Sequence, residues 1–235
     1  MKHYKVPGLS VALINNNAIE WARGYGVLEV EGTRPISTET LFQAAPISKP
    51  VSAMAALHFV QEGKLSLDED INAKLKAWKI PDNEYTKKEK VTLRRLLSHN
   101  AGLTVHGFPG YAADEPVPTL LNVLDRKSPA NSSPISVDMT PGSKLRYSGG
   151  GYCVLQQLLV DVASKPFPEI MEQTVLSELS MKHSTYRQPL PESKTTFFLL
   201  ADGGPRVTFV KNENDQVTGM VFHVGNVESK AKKLR

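Results

Sequence analysis

Three features predict an α+β fold with a mostly helical middle. An apolar run near the start is closed by an asparagine-rich turn, the central stretches carry apolar residues three or four apart, and β-branched runs divided by turn residues fill the end. The 235 residues are 40% hydrophobic and 22% charged, enough for one large or two small domains with a buried core. Wholesale disorder is excluded by that apolar content and by a net charge of only +4.

Residues 6–14 are apolar between Pro7-Gly8 and Asn15-Asn16-Asn17, the pattern of a strand ending in a turn. Residues 19–30, with Trp21, Tyr25 and Val27, are placed to return as the second strand of a hairpin. The period then changes over residues 41–63. Ile47, Val51, Met54, Ala55, Leu57, His58 and Val60 lie three or four apart and Gly63 follows as a stop signal, which predicts a largely buried helix. Residues 65–75, containing Asp68, Glu69 and Asp70, read as a loop feeding a short helix, and residues 91–99 as a helix closed by Asn100-Ala101-Gly102. Residues 107–141 are rich in Pro, Ser, Asn and Asp around a short apolar helix at 119–124. Val154, Leu155, Leu158, Leu159 and Val162 line one side of a helix over 151–164, and 167–179 supplies another. The texture changes at Pro189-Leu190-Pro191, after which 195–200, 206–211 and 216–224 read as strands of a small antiparallel meander. No internal repeat is apparent.

Composition narrows the function classes. The single cysteine, Cys153, cannot form an internal disulfide, and no Cys/His cluster has zinc-ligand spacing; no metal or cofactor is expected. The pI of about 9.0 suggests nucleic acid, yet 28 basic residues are interspersed with 24 acidic ones, the pattern of a solvated surface, so no nucleic-acid partner is expected. No run approaches the roughly 18 apolar residues that a spanning helix needs. The start, Met1-Lys2-His3-Tyr4-Lys5-Val6-Pro7, has no apolar segment of the secretory kind, which leaves the compartment open. Asp68 to Asp70 suit an acidic helix start better than a metal site. Cys153, on an apolar helix, reads as a small buried hydrophobe.

Several local sequences, taken together and in order, resemble the β-lactamase-related serine hydrolases, a group including class C β-lactamases, D-alanyl-D-alanine carboxypeptidases and related esterases. They are Val6-Pro7-Gly8-Leu9-Ser10-Val11-Ala12, Gly24-Tyr25-Gly26, and Thr40-Leu41-Phe42-Gln43-Ala44-Ala45-Pro46-Ile47-Ser48-Lys49. Gly63-Lys64-Leu65-Ser66-Leu67-Asp68, Leu96-Leu97-Ser98-His99-Asn100-Ala101-Gly102-Leu103, Pro141-Gly142-Ser143 and Tyr147-Ser148-Gly149-Gly150-Gly151-Tyr152 follow. The resemblance implies a penicillin-binding-protein-like fold, a helical lobe above an antiparallel sheet, with acyl-enzyme hydrolysis of an ester, amide or β-lactam between them. It implies a small-molecule acyl partner, peptidoglycan-like, ester or β-lactam, and relatives that often work in the periplasm or outside the cell.

The chemistry of such a site requires a serine at the start of a helix and a lysine three residues later, because positions i and i+3 share one face. A tyrosine relays protons, and a Lys/His-x-Gly strand lines the other side. By resemblance Lys49 is the lysine and Tyr147 the tyrosine, with Ser148 and Gly149 beside the substrate; Gly149 stands where many relatives carry asparagine. The nucleophile position holds Pro46, which has no hydroxyl but suits the first turn of a helix. Ser48, two residues on, is turned about 200° around the helix and makes a poor substitute. Ser52 shares a face with Lys49 one turn deeper, in packed interior. The other Ser-x-x-Lys, Ser229 to Lys232, lies in a charged tail that reads as solvated. His223-Val224-Gly225 fits His-x-Gly, although 6 His and 16 Gly in 235 residues give about 0.4 such pairs by chance. His99, at a helix end, reads as a hydrogen-bonded structural residue near the site.

Residues 1–190 are thus expected to form a partial hydrolase-like domain and residues 191–235 a β-rich segment resembling the end of an accessory C-terminal domain. The stretch holding the active-site strand and the returning half of the sheet is expected to be missing. Two functions follow: a hydrolase homologue inactive or strongly impaired by Pro46, or a non-catalytic relative that binds a ligand or partner. The first two strands are marginal alone, so either the tail strands cover them or their edges stay open. Oligomeric state is left open.

Overall fold

The computed structural model describes residues 1–4, 6–111 and 115–187, and the backbone of three strands over 206–211, 217–224 and 227–232. The chain divides into two compact units, Met1–Ala45 together with Thr196–Arg235, and Pro46–Thr195. The architecture is α+β, as predicted.

In the first unit, β1 (Gly8–Asn15) and β2 (Ala18–Gly26) pair antiparallel. Asn16 and Asn17 turn the chain with φ of 49° and 60°, the left-handed pair of a type I′ turn that asparagine tolerates. Val27 bridges Pro35, and Ile36 is buried against the glycines of the hairpin. A Cβ on Gly8 would lie 2.5 Å from Ile36 Cγ1 and one on Gly24 only 2.4 Å from the Ile36 carbonyl oxygen, so both positions require glycine to admit the crossing segment. Leu13 is the buried residue of β1; β2 has none.

The strands β3 (Arg206–Lys211), β4 (Val217–Val224) and β5 (Val227–Lys232) form their own antiparallel sheet in the order β3-β4-β5. Two match the predicted meander; the run at 195–200 lies outside the described residues. β5 adds a strand that the sequence reading did not place over Ser229 to Lys232. Lys230 pairs with Val221 and Lys232 with Gly219, which makes this charged run an edge strand of the sheet. Among the described residues the ladder partners of β1 and β2 are each other, and neither strand belongs to the tail sheet.

The second unit is built around α5 (Gly149–Ala163), whose Val154, Leu155, Leu158 and Leu159 are fully buried. It packs on α1 (Ser48–Gln61), α3 (Leu93–Leu97), α4 (Leu120–Asp125) and α6 (Phe167–Met171). Thr92 caps α3, and Thr119 with Asn122 forms a capping box on α4. A short helix absent from the sequence reading, α2 (Glu84–Lys88), is fixed by a capping box of Asn83 and Thr86. Asp161 on α5 is buried but satisfied: its carboxylate accepts from Lys76 N at 2.6 Å, Ala77 N at 3.2 Å and Gln157 Nε2 at 2.8 Å. The helix predicted over 167–179 changes after α6 into a π-turn, Glu172–Leu176.

The largely buried helix over 41–63 needs two corrections. It begins at Ser48, after a 3-10 turn over Ala45–Ile47. Only one face is covered, that of Ser52, Ala55, Ala56 and Phe59, whereas Ile47, Met54 and Leu57 are 68%, 44% and 46% exposed. Apolar residues occupy all sides of α1, and periodicity alone does not tell which side has a neighbour.

Candidate active site

Pro46 sits in the 3-10 turn that leads into α1, and Lys49 follows in the helix's first turn. Ile47 offers no side-chain cap. The turn is held instead from the side: Tyr186 Oη donates to the Ser48 carbonyl at 2.7 Å, and Ser52 Oγ donates to the same oxygen at 2.9 Å. The Tyr186 ring meets Phe167 edge-on at 5.3 Å, and burial pushes its phenol above the usual range.

The second half of the site comes from the N-terminus of α5 and the loop after α3. Ser148 is the N-cap. Its Oγ accepts from Gly151 N at 2.9 Å and donates to the Thr104 carbonyl at 2.6 Å, while its own N–H donates to His99 Nδ1 at 3.3 Å. A cap of this kind is worth about 1 kcal/mol. Gly149 N and Gly150 N donate to the carbonyls of His106 and Val105 at 3.0 and 2.9 Å, which docks the helix start on the 104–106 loop. The approach is close: a Cβ on Gly149 would lie 2.9 Å from the His106 oxygen, and one on Gly150 2.7 Å from the Thr104 oxygen. The glycine run therefore forms the first turn of a helix pressed against a loop.

These anchors gather four aromatic rings beside Lys49. His99 lies 4.5 Å from the Tyr147 ring and 5.3 Å from Tyr152, and His106 lies 4.9 Å from Tyr147. Lys49 Nζ stands 5.1 Å from the Tyr147 centroid and 5.7 Å from that of Tyr152, within cation–π range of both. Burial, the Lys49 charge and His106 together lower the His99 pKa below its ordinary value. A neutral His99 fits its bond, since Nδ1 accepts the Ser148 N–H and the proton belongs on Nε2. Burial, and secondarily Tyr147, raise the Tyr152 phenol pKa. Arg146 holds the loop behind Tyr147: its N–H donates to the His99 carbonyl at 2.7 Å, and Nη2 donates to the Gly102 carbonyl at 2.8 Å and pairs with Asp138. A cavity of about 230 Å³ lies against Tyr147, His106 and Arg146.

The structure brings Lys49 and Tyr147 together. Ser148 is only 4% exposed, and its hydroxyl is engaged in the cap and the loop. Gly149, pressed against the same loop, leaves no room for a side chain. His223 lies on β4 in the other unit, opposite Arg206 and Glu228, and Gly225 lies outside the described residues. Cys153 has its thiol pushed up to about 12 by burial. Asp70 caps a 3-10 turn through Asn72 N, Asp68 pairs with Arg94, and the described residues hold no cluster of three metal-ligating side chains. No described helix is long and apolar enough to cross a membrane.

From the sequence, no site role was assigned to Tyr152, His106 or Tyr186. A signal existed for Tyr152: it is the fourth residue of α5, and side chains in a first turn lean back toward the helix start. His106 and Tyr186 arrive through loop geometry that no local pattern encodes.

The beta-lactamase family model matches residues 1–232. Among curated proteins, the chain is 28% identical over 205 residues to a "Beta-lactamase" of Pseudomonas fluorescens, covering 86% of this chain and 51% of that one. It is 24% identical over 191 residues to "Protein flp" of Staphylococcus aureus (strain N315), covering 80% and 36%. Among solved structures, the octameric penicillin-binding protein homologue from Pyrococcus abyssi aligns with a TM-score of 0.66 at 23% identity, covering 92% of this chain and 47% of that one. The chain thus spans between about a third and a half of the length of these relatives. With the family model running nearly end to end and the fold shared, this chain belongs to the beta-lactamase family.

Proposed function

We propose that this chain is a non-acylating member of its family, in which Lys49 and Tyr147 persist as part of a pocket for a small acyl ligand, peptidoglycan-like, ester or β-lactam. The observation that carries this reading is Pro46. It occupies the position three residues before Lys49, at the entrance to α1, where the reaction needs a hydroxyl. Proline preserves the helix start and removes the nucleophile. Ser48 is rotated about 200° from that position, too far to substitute. The lysine faces tyrosine rings, an arrangement that places a cation beside a ligand but forms no covalent bond by itself.

The test compares the unmodified chain, Lys49→Ala and Pro46→Ser on a chromogenic cephalosporin and a chromogenic ester. The unmodified chain is expected to be silent; turnover that disappears in Lys49→Ala would overturn the reading. Activity gained by Pro46→Ser would isolate the nucleophile as the deficit. Ligand retention is read separately, as thermal stabilisation by acyl ligands or a peptidoglycan fragment. A ligand at a hundred times its Kd stabilises by about 2.7 kcal/mol. No shift across the panel would remove the binding half of the proposal.

A further inference from the structure

A cleft of about 550 Å³ opens between residues 104–109 and 131–136, within the roughly 300–1,000 Å³ typical of ligand sites. Thr104, Asn131, Ser132 and Ser133 line it together with Pro109 and Pro134, and no described lining side chain is charged. The backbone here is already paired across the cleft's floor. Thr104 N donates to the Ser136 carbonyl at 2.9 Å, Thr104 Oγ1 donates to the Pro134 carbonyl at 3.2 Å, and Ser136 N donates to Thr104 Oγ1 at 2.9 Å. Asn131 uses its N–H on Tyr111 Oη and its Nδ2 on the Gly110 carbonyl, at 3.1 and 2.7 Å. Its amide oxygen and the serine hydroxyls remain. Ser132 is 7% exposed, and its Oγ is buried in the cleft wall with no hydrogen-bond partner. As it stands that hydroxyl is shut off from the cleft too, so a ligand completes it only when the Ser132 side chain turns toward the cleft about χ1.

We propose that this cleft is a binding site for a neutral carbohydrate. A charged ligand would find no counter-charge in the described lining. An extended peptide docks by pairing with an unpaired strand edge, and the rungs at 104 and 136 are closed on each other. What is left is hydroxyl and amide chemistry beside Pro109 and Pro134, which a polyol satisfies by donating and accepting at once. The site depends neither on Pro46 nor on acyl transfer, so it stands or falls separately from the reading above.

The experiment is a titration of the ¹⁵N-labelled chain with cellobiose, with N,N′-diacetylchitobiose and, as the peptide probe, with N-acetyl-dialanine amide. Saturable shifts from at least one disaccharide are expected at the amides of Thr104, Gly107, Ser132 and Ser133. Ser132→Ala should weaken binding about tenfold, the equivalent of one well-made hydrogen bond. Ser133→Phe, at an exposed position the fold tolerates, should abolish it by filling the cleft. No saturable shift from either disaccharide would overturn the proposal. So would a response to the dialanine amide alone, or disaccharide binding that survives in Ser133→Phe.

Discussion

Apolar residues are at least as dense in the β1–β2 hairpin as in the helical unit, yet the two reach opposite degrees of closure. Around α5, four side chains are fully buried and a buried carboxylate has three donors. On the hairpin, Leu13 is buried while Ile14 and Ile19 are each 68% exposed, and among the described residues neither strand has a ladder partner beyond the other. α1 shows both conditions on one helix, covered at Ala55 and Ala56, open at Met54 and Leu57. Hydrophobic sequence supplies the capacity for burial; only a facing layer uses it.

The largest expected effect tests that contrast directly. Leu158→Ala should cost about 2–5 kcal/mol in urea denaturation. Ile19→Ala should stay within about 0.5 kcal/mol, because its side chain is largely in water already. An Ile19→Ala cost matching that of Leu158→Ala would break the comparison and show the hairpin face to be covered in solution.

A smaller effect sharpens the account of the site. Gly150→Ala would bring a Cβ to 2.7 Å from the Thr104 oxygen and 3.1 Å from Ile135 Cγ1, so the helix start must move off the loop. An overpacking cost of about 1–3 kcal/mol is expected, with altered amide shifts at Val105 and His106. A neutral substitution would mean that the α5 N-terminus is not docked as described.

The smallest concerns pH. The folded state lowers the His99 pKa from the ordinary 6.5, so the unfolded chain takes up the proton first as pH falls. The stabilisation from His99 is therefore full above pH 6.5 and declines below it toward the lowered folded pKa. His99→Asn, which tolerates the residue's φ of 55°, should flatten that part of the stability profile. An unchanged slope in the variant would assign the pH dependence elsewhere.

Much of the architecture was legible because its signals are local. The asparagines of the hairpin turn, the Leu155/Leu158/Leu159 stripe and the strands at 206–211 and 217–224 each follow from a few adjacent residues. The cap-driven α2 was missed because five residues carry too little periodicity, and β5 because its lysines resemble a solvated tail until the ladder pairs them. At the candidate site, Lys49 and Tyr147 were readable from motif and spacing, as was the absence of a hydroxyl at Pro46. The roles of Ser148 and Gly149 were not. Whether a hydroxyl meets a ligand or caps a helix depends on the 104–106 loop, far away in sequence.

The sequence by itself determined the α+β class, the kinds and approximate places of most elements, and the absence of a side-chain hydroxyl at position 46. Those properties reside in dihedral preference, short-range periodicity and side-chain composition. Tertiary structure alone decided which face of α1 is covered, that Tyr152 and two histidines join Tyr147 beside Lys49, and that Gly149 and Gly150 must stay free of side chains. Burial, ring stacking and desolvation are set by neighbours distant in the chain, and one strand of sequence cannot announce who those neighbours are.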